Sequence, residues 1–249
     1  MPTNFSIIIP ARYNSSRLPG KPLLLIKDKP LIQHIFETAA CTQAEKILIA
    51  TDNSEIIDTV TSFGGTAILT SSEHQSGTDR IAEVVEKLNI NDEEIIINLQ
   101  GDEFDLPAQL INKLASNLSK NTNFDVATLC VRIQSMNEYT DPNVVKVIFD
   151  AKNSAIYFSR SPIPTDRSGK LPEEAYKHIG LYAYRAGYLK KFTQLKRCKL
   201  EKIEQLEQLR ILYNGGKIHL DVVANNKGIG IDTSEDLKAA RLQVKKQIV

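Results

Sequence analysis

Hydrophobic positions along the chain fall into short unbroken runs separated by amphipathic stretches. "FSIIIP" is followed by "PLIQHIFETAACTQ", "KILIATD" by "SEIIDTVTSFGG", and "EIIINLQGD" by "PAQLINKLASNL". The short "TAILT" and the helical "SGTDRIAEVVEKLN" stand between the second and third pairs. Apolar runs without alternation mark strands buried on both faces, and the helices between them supply the crossovers of a parallel sheet. The pattern predicts a doubly wound α/β, Rossmann-like fold. Gly64 and Gly65 close one helix, and Ser76 or Thr78 caps another whose early turns hold Glu83. Ligands of such sheets sit beyond the carboxyl ends of the strands, which singles out loops 10–21, 51–54, 70–80 and 100–107.

Beyond Phe124 the rhythm changes. "VATLCVRI", "VVKVIFD", "AIYFSRS" and "IGLYAYR" follow one another with little helix between them, the mark of an antiparallel or mixed extension of the sheet. A single helix is predicted over "LEKIEQLEQLRILYNGG", with Leu200, Ile203, Leu206 and Leu209 on one face. "KIHLDVV" reads as a strand, and "IGIDTSEDLKAARLQVKK" as the strand, cap and helix of a last α/β unit. The expected organisation is one domain over 1–249. Residues 1 to about 124 form a nucleotide-binding part, and about 155–225 a smaller mixed lobe.

Composition narrows the function. The 249 residues are 42% hydrophobic, and 31 Lys and Arg against 30 Asp and Glu leave a net charge of +1. That balance gives no global attraction to nucleic acid or anionic membrane, so any anion binding is local. No apolar run reaches the roughly 20 residues of a membrane span, and the expected location is the cytoplasm. Cys41, Cys130 and Cys198 are widely spaced and read as buried apolar residues, not as a disulfide or zinc framework.

The first loop, "PARYNSSRLPGK", fails two nucleotide fingerprints. Ser15 stands where a Walker loop needs its first glycine and Pro22 where it needs Ser or Thr, while Gly20 alone does not make a G-x-G-x-x-G turn. What remains is Arg12, Arg17 and Lys21 around small polar residues at a strand end, a pattern suited to a polyphosphate. "INLQGDE" puts Asp102 at the end of a central strand and "GIGIDTSEDL" puts Asp232 at another. Such carboxylates hold Mg2+ together with substrate phosphate oxygens.

These blocks, with "HQSGTDRIAEVVE", "VKVIFD", "YFSRSPIP", "KHIGLYAYR" and "LEQLRILYNGGKI", resemble in matching order the 3-deoxy-manno-octulosonate (Kdo) cytidylyltransferases. The resemblance implies a nucleotide-diphospho-sugar transferase-like fold and transfer of CMP from CTP to an acidic eight-carbon sugar, with pyrophosphate released, for lipopolysaccharide assembly. It implies that Ala11, Arg12, Arg17 and Lys21 meet the nucleotide with Ser76, Gly77, Arg80 and Gln100. Asp102 and Asp232 would hold Mg2+, and Gln100, Arg160, Arg167, His178, Tyr182, Glu207 and Gln208 would face the sugar. It also implies a homodimer through the lobe. A carboxylate sugar suits arginine forks, and its hydroxyls suit His, Tyr, Glu and Gln. Another acidic sugar, such as a nonulosonate, is the alternative substrate, and a nucleotide-binding regulatory protein the alternative class. One position departs from the family pattern: Phe104 replaces a proline after Glu103, and Asp105 adds a carboxylate. This predicts either a looser turn or a contact to a modified sugar bearing an amine, such as 8-amino-Kdo.

Overall fold

The computed structural model describes residues 4–14, 18–224 and 228–246. Strand β1 (Phe5–Ala11) is buried along its whole length. Phe5, Ile7, Ile9 and Ala11 enter one apolar cluster while Ile8 enters another on the opposite face, which is why its sequence shows no polar alternation. A small hairpin, β2 (Leu25–Ile26) and β3 (Lys29–Pro30), leads into α1 (Leu31–Ala40). The alternation continues through β4 (Lys46–Thr51), α2 (Ser54–Ser62), β5 (Thr66–Leu69), α3 (Gly77–Lys87) and β6 (Ile95–Asn98). β1 pairs in parallel with β4 and β6, and β4 with β5, as the crossover helices require. Asn53 caps α2 and Ser76 caps α3, each accepting a backbone N–H from the first turn.

The second half adds β7 (Glu103–Phe104), α4 (Ala108–Lys120), β8 (Val126–Arg132), α5 (Met136–Thr140), β9 (Lys146–Phe149) and β10 (Ala155–Ser159). Then come β11 (Tyr176–Arg185), α6 (Ala186–Gln194), α7 (Lys199–Glu204), α8 (Leu209–Tyr213), β12 (Ile218–Val223), β13 (Ile229–Gly230) and α9 (Ser234–Lys246). The parallel centre gains the expected antiparallel extension through β11, which pairs with β6 by its last residues and with β9 by its first. β8 runs antiparallel along the other edge of β11, and β12 pairs with it in parallel. The main sheet is therefore continuous across both halves of the chain. The register of β11 shifts between Ile179 and Tyr182, beside the carboxyl ends of the central strands.

Three sequence expectations are corrected. The single helix predicted over 200–216 is two short helices, because Gln205 takes a left-handed φ of 54° and ends α7. Leu206 and Leu209 turn inward after the break, while Leu200 and Ile203 remain exposed, Ile203 at 78%. β13 does not extend the main sheet; it pairs antiparallel with β7 in a separate two-stranded ribbon. Cys130 and Cys198 are buried as expected, but Cys41 is exposed at the end of α1.

Candidate active site

A cavity of about 280 Å³ opens at the carboxyl ends of β1 and β6. Its wall takes Arg12 and Lys21 from the first loop, 74–77 and Arg80 around the head of α3, 100–102 after β6, and Asp232 after β13. Ala11 also borders it, so the nucleotide-side residues named from sequence that fall in described regions all converge here. Arg17 lies outside the described residues. The turn after β6 approaches β1 closely: a Cβ on Gly101 would stand 2.8 Å from the Pro10 carbonyl oxygen, a separation only glycine permits.

Lys21 is the meeting point. Its Nζ donates to Asp102 Oδ2 at 2.7 Å, to the Ile231 carbonyl at 3.0 Å and to Asp232 Oδ1 at 3.1 Å. The lysine expected to face phosphate is thus also the partner of both aspartates. Close by, burial and then the charges of Asp102 and Asp232 push the Glu103 carboxyl up to about 7. The described residues hold no cluster of three metal-ligating side chains. Two carboxylates converging on one cationic point in a phosphate-suited cavity nevertheless fit Mg2+, which commonly takes one or two carboxylates and completes its shell with water and substrate oxygens.

The remaining wall is built from paired groups. The Arg80 guanidinium is buried and donates to Thr70 Oγ1 at 2.5 Å and to Asp52 Oδ2 at 2.7 Å. Asp52 Oδ1 also accepts the Tyr13 N–H at 3.5 Å, so this carboxylate ties α3 to the first loop. Ser76 Oγ and Thr78 Oγ1 each donate to the Glu207 carboxylate at 3.3 Å, joining the nucleotide wall to the lobe. Gln100 donates to Asn98 Oδ1 at 2.8 Å. Asp52 is not among the site residues named from the sequence, although "ATD" and the loop 51–54 point to its position, and Thr78 is read there only as an alternative cap of α3, a place Ser76 takes.

His74 Nε2 contacts Glu83 Oε2. Burial pushes the Glu83 carboxyl up, but hydrogen bonds from Lys87, the Ser71 N–H and His74 outweigh it and bring the group down to about 2. A depressed carboxyl stabilises the fold above its unfolded value near 4.5 and loses that contribution as pH falls toward 2. Urea unfolding at a series of pH values should therefore show wild type about 1–2 kcal/mol more stable than Glu83→Gln at neutrality, with the gap closing in acid. A pH-independent gap contradicts this assignment.

The sugar-side residues divide. Glu207 lines an adjoining pocket and meets the cavity wall through Ser76, and burial holds its carboxyl above the usual range despite the opposing charge of Arg210. Arg210 itself is paired with Glu201, through bonds of 2.6 and 2.9 Å. His178 is half-buried on β11, its Nε2 2.9 Å from Thr128 Oγ1, and loss of solvation lowers its pKa to about 3. Its ring packs 5.2 Å from that of Tyr182, which pairs in register with Asn98 and has a buried hydroxyl with no described partner. Gln208 is buried at the head of α8. Arg160 donates to the Glu204, Pro142 and Gln205 carbonyls and lies off the nucleotide cavity wall. Arg167 is exposed and also lies off it.

The Phe104-Asp105 turn is braced, not loose. β7 pairs with β13, the Ile231 N–H donates to the Asp102 carbonyl at 2.9 Å, and Phe104 packs edge-on against His34 at 5.4 Å. Asp105 has a φ of 58°, and its carboxylate accepts from Gln243 Nε2 on α9 at 2.5 Å. The missing proline is compensated by pairing and by the C-terminal helix.

A family model described as Cytidylyltransferase matches residues 6–218. The 3-deoxy-manno-octulosonate cytidylyltransferase 2 of Actinobacillus pleuropneumoniae serotype 5b is 49% identical over 247 residues, covering 96% of this chain and 97% of the relative. A 3-deoxy-manno-octulosonate cytidylyltransferase of Haemophilus influenzae is 48% identical over 248 residues, covering 96% and 97%. Among solved structures, a CMP:2-keto-3-deoxy-manno-octonic acid synthetase complexed with CTP superposes with a TM-score of 0.92 at 41% identity, covering 98% of this chain and 99% of that one. A cytidylyltransferase from Leptospira borgpetersenii, at 15% identity and a TM-score of 0.64 over 98% and 87% of the two chains, shares the fold.

Proposed function

The chain belongs to the 3-deoxy-manno-octulosonate cytidylyltransferases, and we propose that Lys21, Asp102 and Asp232 form the centre at which it transfers CMP from CTP to Kdo. The observation that carries this reading is the convergence of the two strand-end carboxylates on Lys21, inside a cavity that also holds Arg12, Ser76, Gly77 and Gln100. The anomeric hydroxyl of the sugar attacks the α-phosphorus of CTP, and pyrophosphate leaves. Arg12 and Lys21, with Arg17 by resemblance, neutralise charge that builds on the leaving group. Asp102 and Asp232 are the residues that would hold Mg2+, which when bound supplies further neutralisation of phosphate charge. Alignment of the two substrates supplies the rest, and the Glu207 link to Ser76 and Thr78 is suited to that task.

On the sugar side, the neutral His178 imidazole and the unpartnered Tyr182 hydroxyl supply hydrogen bonds to sugar hydroxyls. Lipopolysaccharide assembly in the cytoplasm is the setting this activity implies; no helix among the described residues is long and apolar enough to cross a membrane. Pyrophosphate release, measured with each of the four NTPs against a panel of acidic sugars and Mg2+, tests the assignment. Release with CTP and Kdo is expected, and a clear preference for another sugar acid would overturn it.

Asp105 is assigned to the brace on α9 and not to the sugar. Asp105→Ala should leave the ratio of kcat/KM for Kdo to that for 8-amino-Kdo unchanged within about twofold, since no substrate contact is lost. A collapse of that ratio would return Asp105 to the sugar site. Homodimerisation through the lobe is supported by the exposed Ile156, Leu200 and Ile203. Sedimentation velocity should find a dimer for wild type and monomers for Ile203→Glu; a wild-type monomer refutes it.

A further inference from the structure

His74 lines the nucleotide cavity, yet the transfer chemistry gives it no task. Its Nε2 faces Glu83 Oε2, and that carboxylate already accepts from the Ser71 N–H at 2.9 Å and pairs with Lys87 Nζ at 2.7 Å. An ionised carboxylate offers only lone pairs, so the proton of the contact belongs to His74 Nε2. In the neutral imidazole Nδ1 is then an acceptor, and no described residue bonds it. On the same wall Arg12, Lys21 and Arg80 are donors, the carboxylates of Asp102 and Asp232 stand at the phosphate end, and Gln75, Ser76 and Gln100 carry both donors and acceptors, so a lone pair without a competing donor is particular to His74 Nδ1.

The location of His74 points to the nucleoside half of the substrate. Asp102, Asp232 and Lys21 mark where phosphate reacts, and the segment beginning at His74 folds against Pro10 and Gln100: a Cβ on Gly77 would stand 3.1 Å from Pro10 Cγ and 3.5 Å from Gln100 Oε1. A nucleoside whose phosphates lie at the carboxylates has this segment for its other wall. Cytosine presents an amino donor at N4, whereas uracil presents a carbonyl acceptor at the same place. An imidazole with its lone pair turned to the base accepts from the first and repels the second.

We propose that His74 is a specificity-determining residue for the nucleobase, its Nδ1 accepting a hydrogen bond from the cytosine N4 amino group while Glu83 fixes the required tautomer. Glu83 is a positioning residue that acts through His74. This inference rests on the cavity binding CTP, but not on the identity of the sugar or on turnover.

Calorimetric titration of CTP, UTP and 2′-deoxy-CTP into wild type, His74→Ala and Glu83→Gln, with Mg2+ present, tests it. His74→Ala should reduce the CTP-to-UTP affinity ratio by about tenfold or more, because wild type alone pairs the amino group and opposes the carbonyl. Glu83→Gln should move the ratio in the same direction by a smaller factor. Equal weakening of CTP and UTP would overturn the proposal, leaving His74 a structural part of the loop. A penalty in His74→Ala that disappears with 2′-deoxy-CTP would also overturn it, assigning Nδ1 to the ribose. Circular dichroism of each variant separates loss of fold from loss of selectivity, and the conservative Glu83→Gln keeps the test alive should His74→Ala unfold. If wild type binds CTP selectively but transfers nothing to Kdo, the catalytic reading fails while this one stands.

Discussion

Asp102→Asn is expected to lower turnover by about a thousandfold or more, comparable to removing a principal electrostatic group from an active site, while the thermal unfolding midpoint stays close to wild type. Asparagine keeps the volume and one acceptor but removes the charge that opposes Lys21 and that would hold Mg2+. The carboxylate stands at the end of a strand, beyond the core, so its loss does not open a cavity. It also removes one of the two charges that push the Glu103 carboxyl upward. Pyrophosphate release at increasing Mg2+ reads the effect, and a near-normal rate at saturating Mg2+ would refute the metal-holding role.

Arg210→Met should be the most damaging single change to stability, at about 3–5 kcal/mol, because it strands a buried carboxylate. Arg210 and Glu201 are 3% and 7% exposed, and their forked pair has bonds of 2.6 and 2.9 Å. The same guanidinium lies 4.5 Å from the centre of the Phe192 ring, so packing is lost with the charge. Glu201→Met combined with Arg210→Met should recover much of the loss, since neither charge is then left alone. Denaturant unfolding of the two variants decides the point: an equally unstable double variant would mean that shape, not charge pairing, is what the site requires.

The parallel core was legible because its signal is local. Three apolar runs, each followed by an amphipathic segment, specify β1, β4 and β6, and their ends specify where a ligand sits. The basic loop and two strand-end aspartates could be named for the same reason. What escaped was decided by partners distant in sequence. "ATD" carries no hint that Asp52 will meet Arg80 and Tyr13, and "QGDEFD" none that Asp105 will be held by Gln243. The broken helix at Gln205 is a further case. Apolar spacing is regular on both sides of it, but bonds from Arg160 to the Glu204 and Gln205 carbonyls and the buried Glu201–Arg210 pair favour a left-handed residue there. Arg160 and Arg167 match a carboxylate by residue type. Type alone did not predict that backbone carbonyls would bind Arg160 or that Arg167 would stand exposed.

The Lys21–Asp232 contact closes a span of 211 residues. An ion pair of such separation is expected late in folding, because loop-closure entropy favours the shorter connections of the parallel core first. The central strands can assemble and even acquire a cavity before the last carboxylate arrives. Competence for chemistry is therefore a late property of the chain, acquired only when its two ends have docked, and a partly folded molecule with an intact parallel core is expected to be catalytically silent.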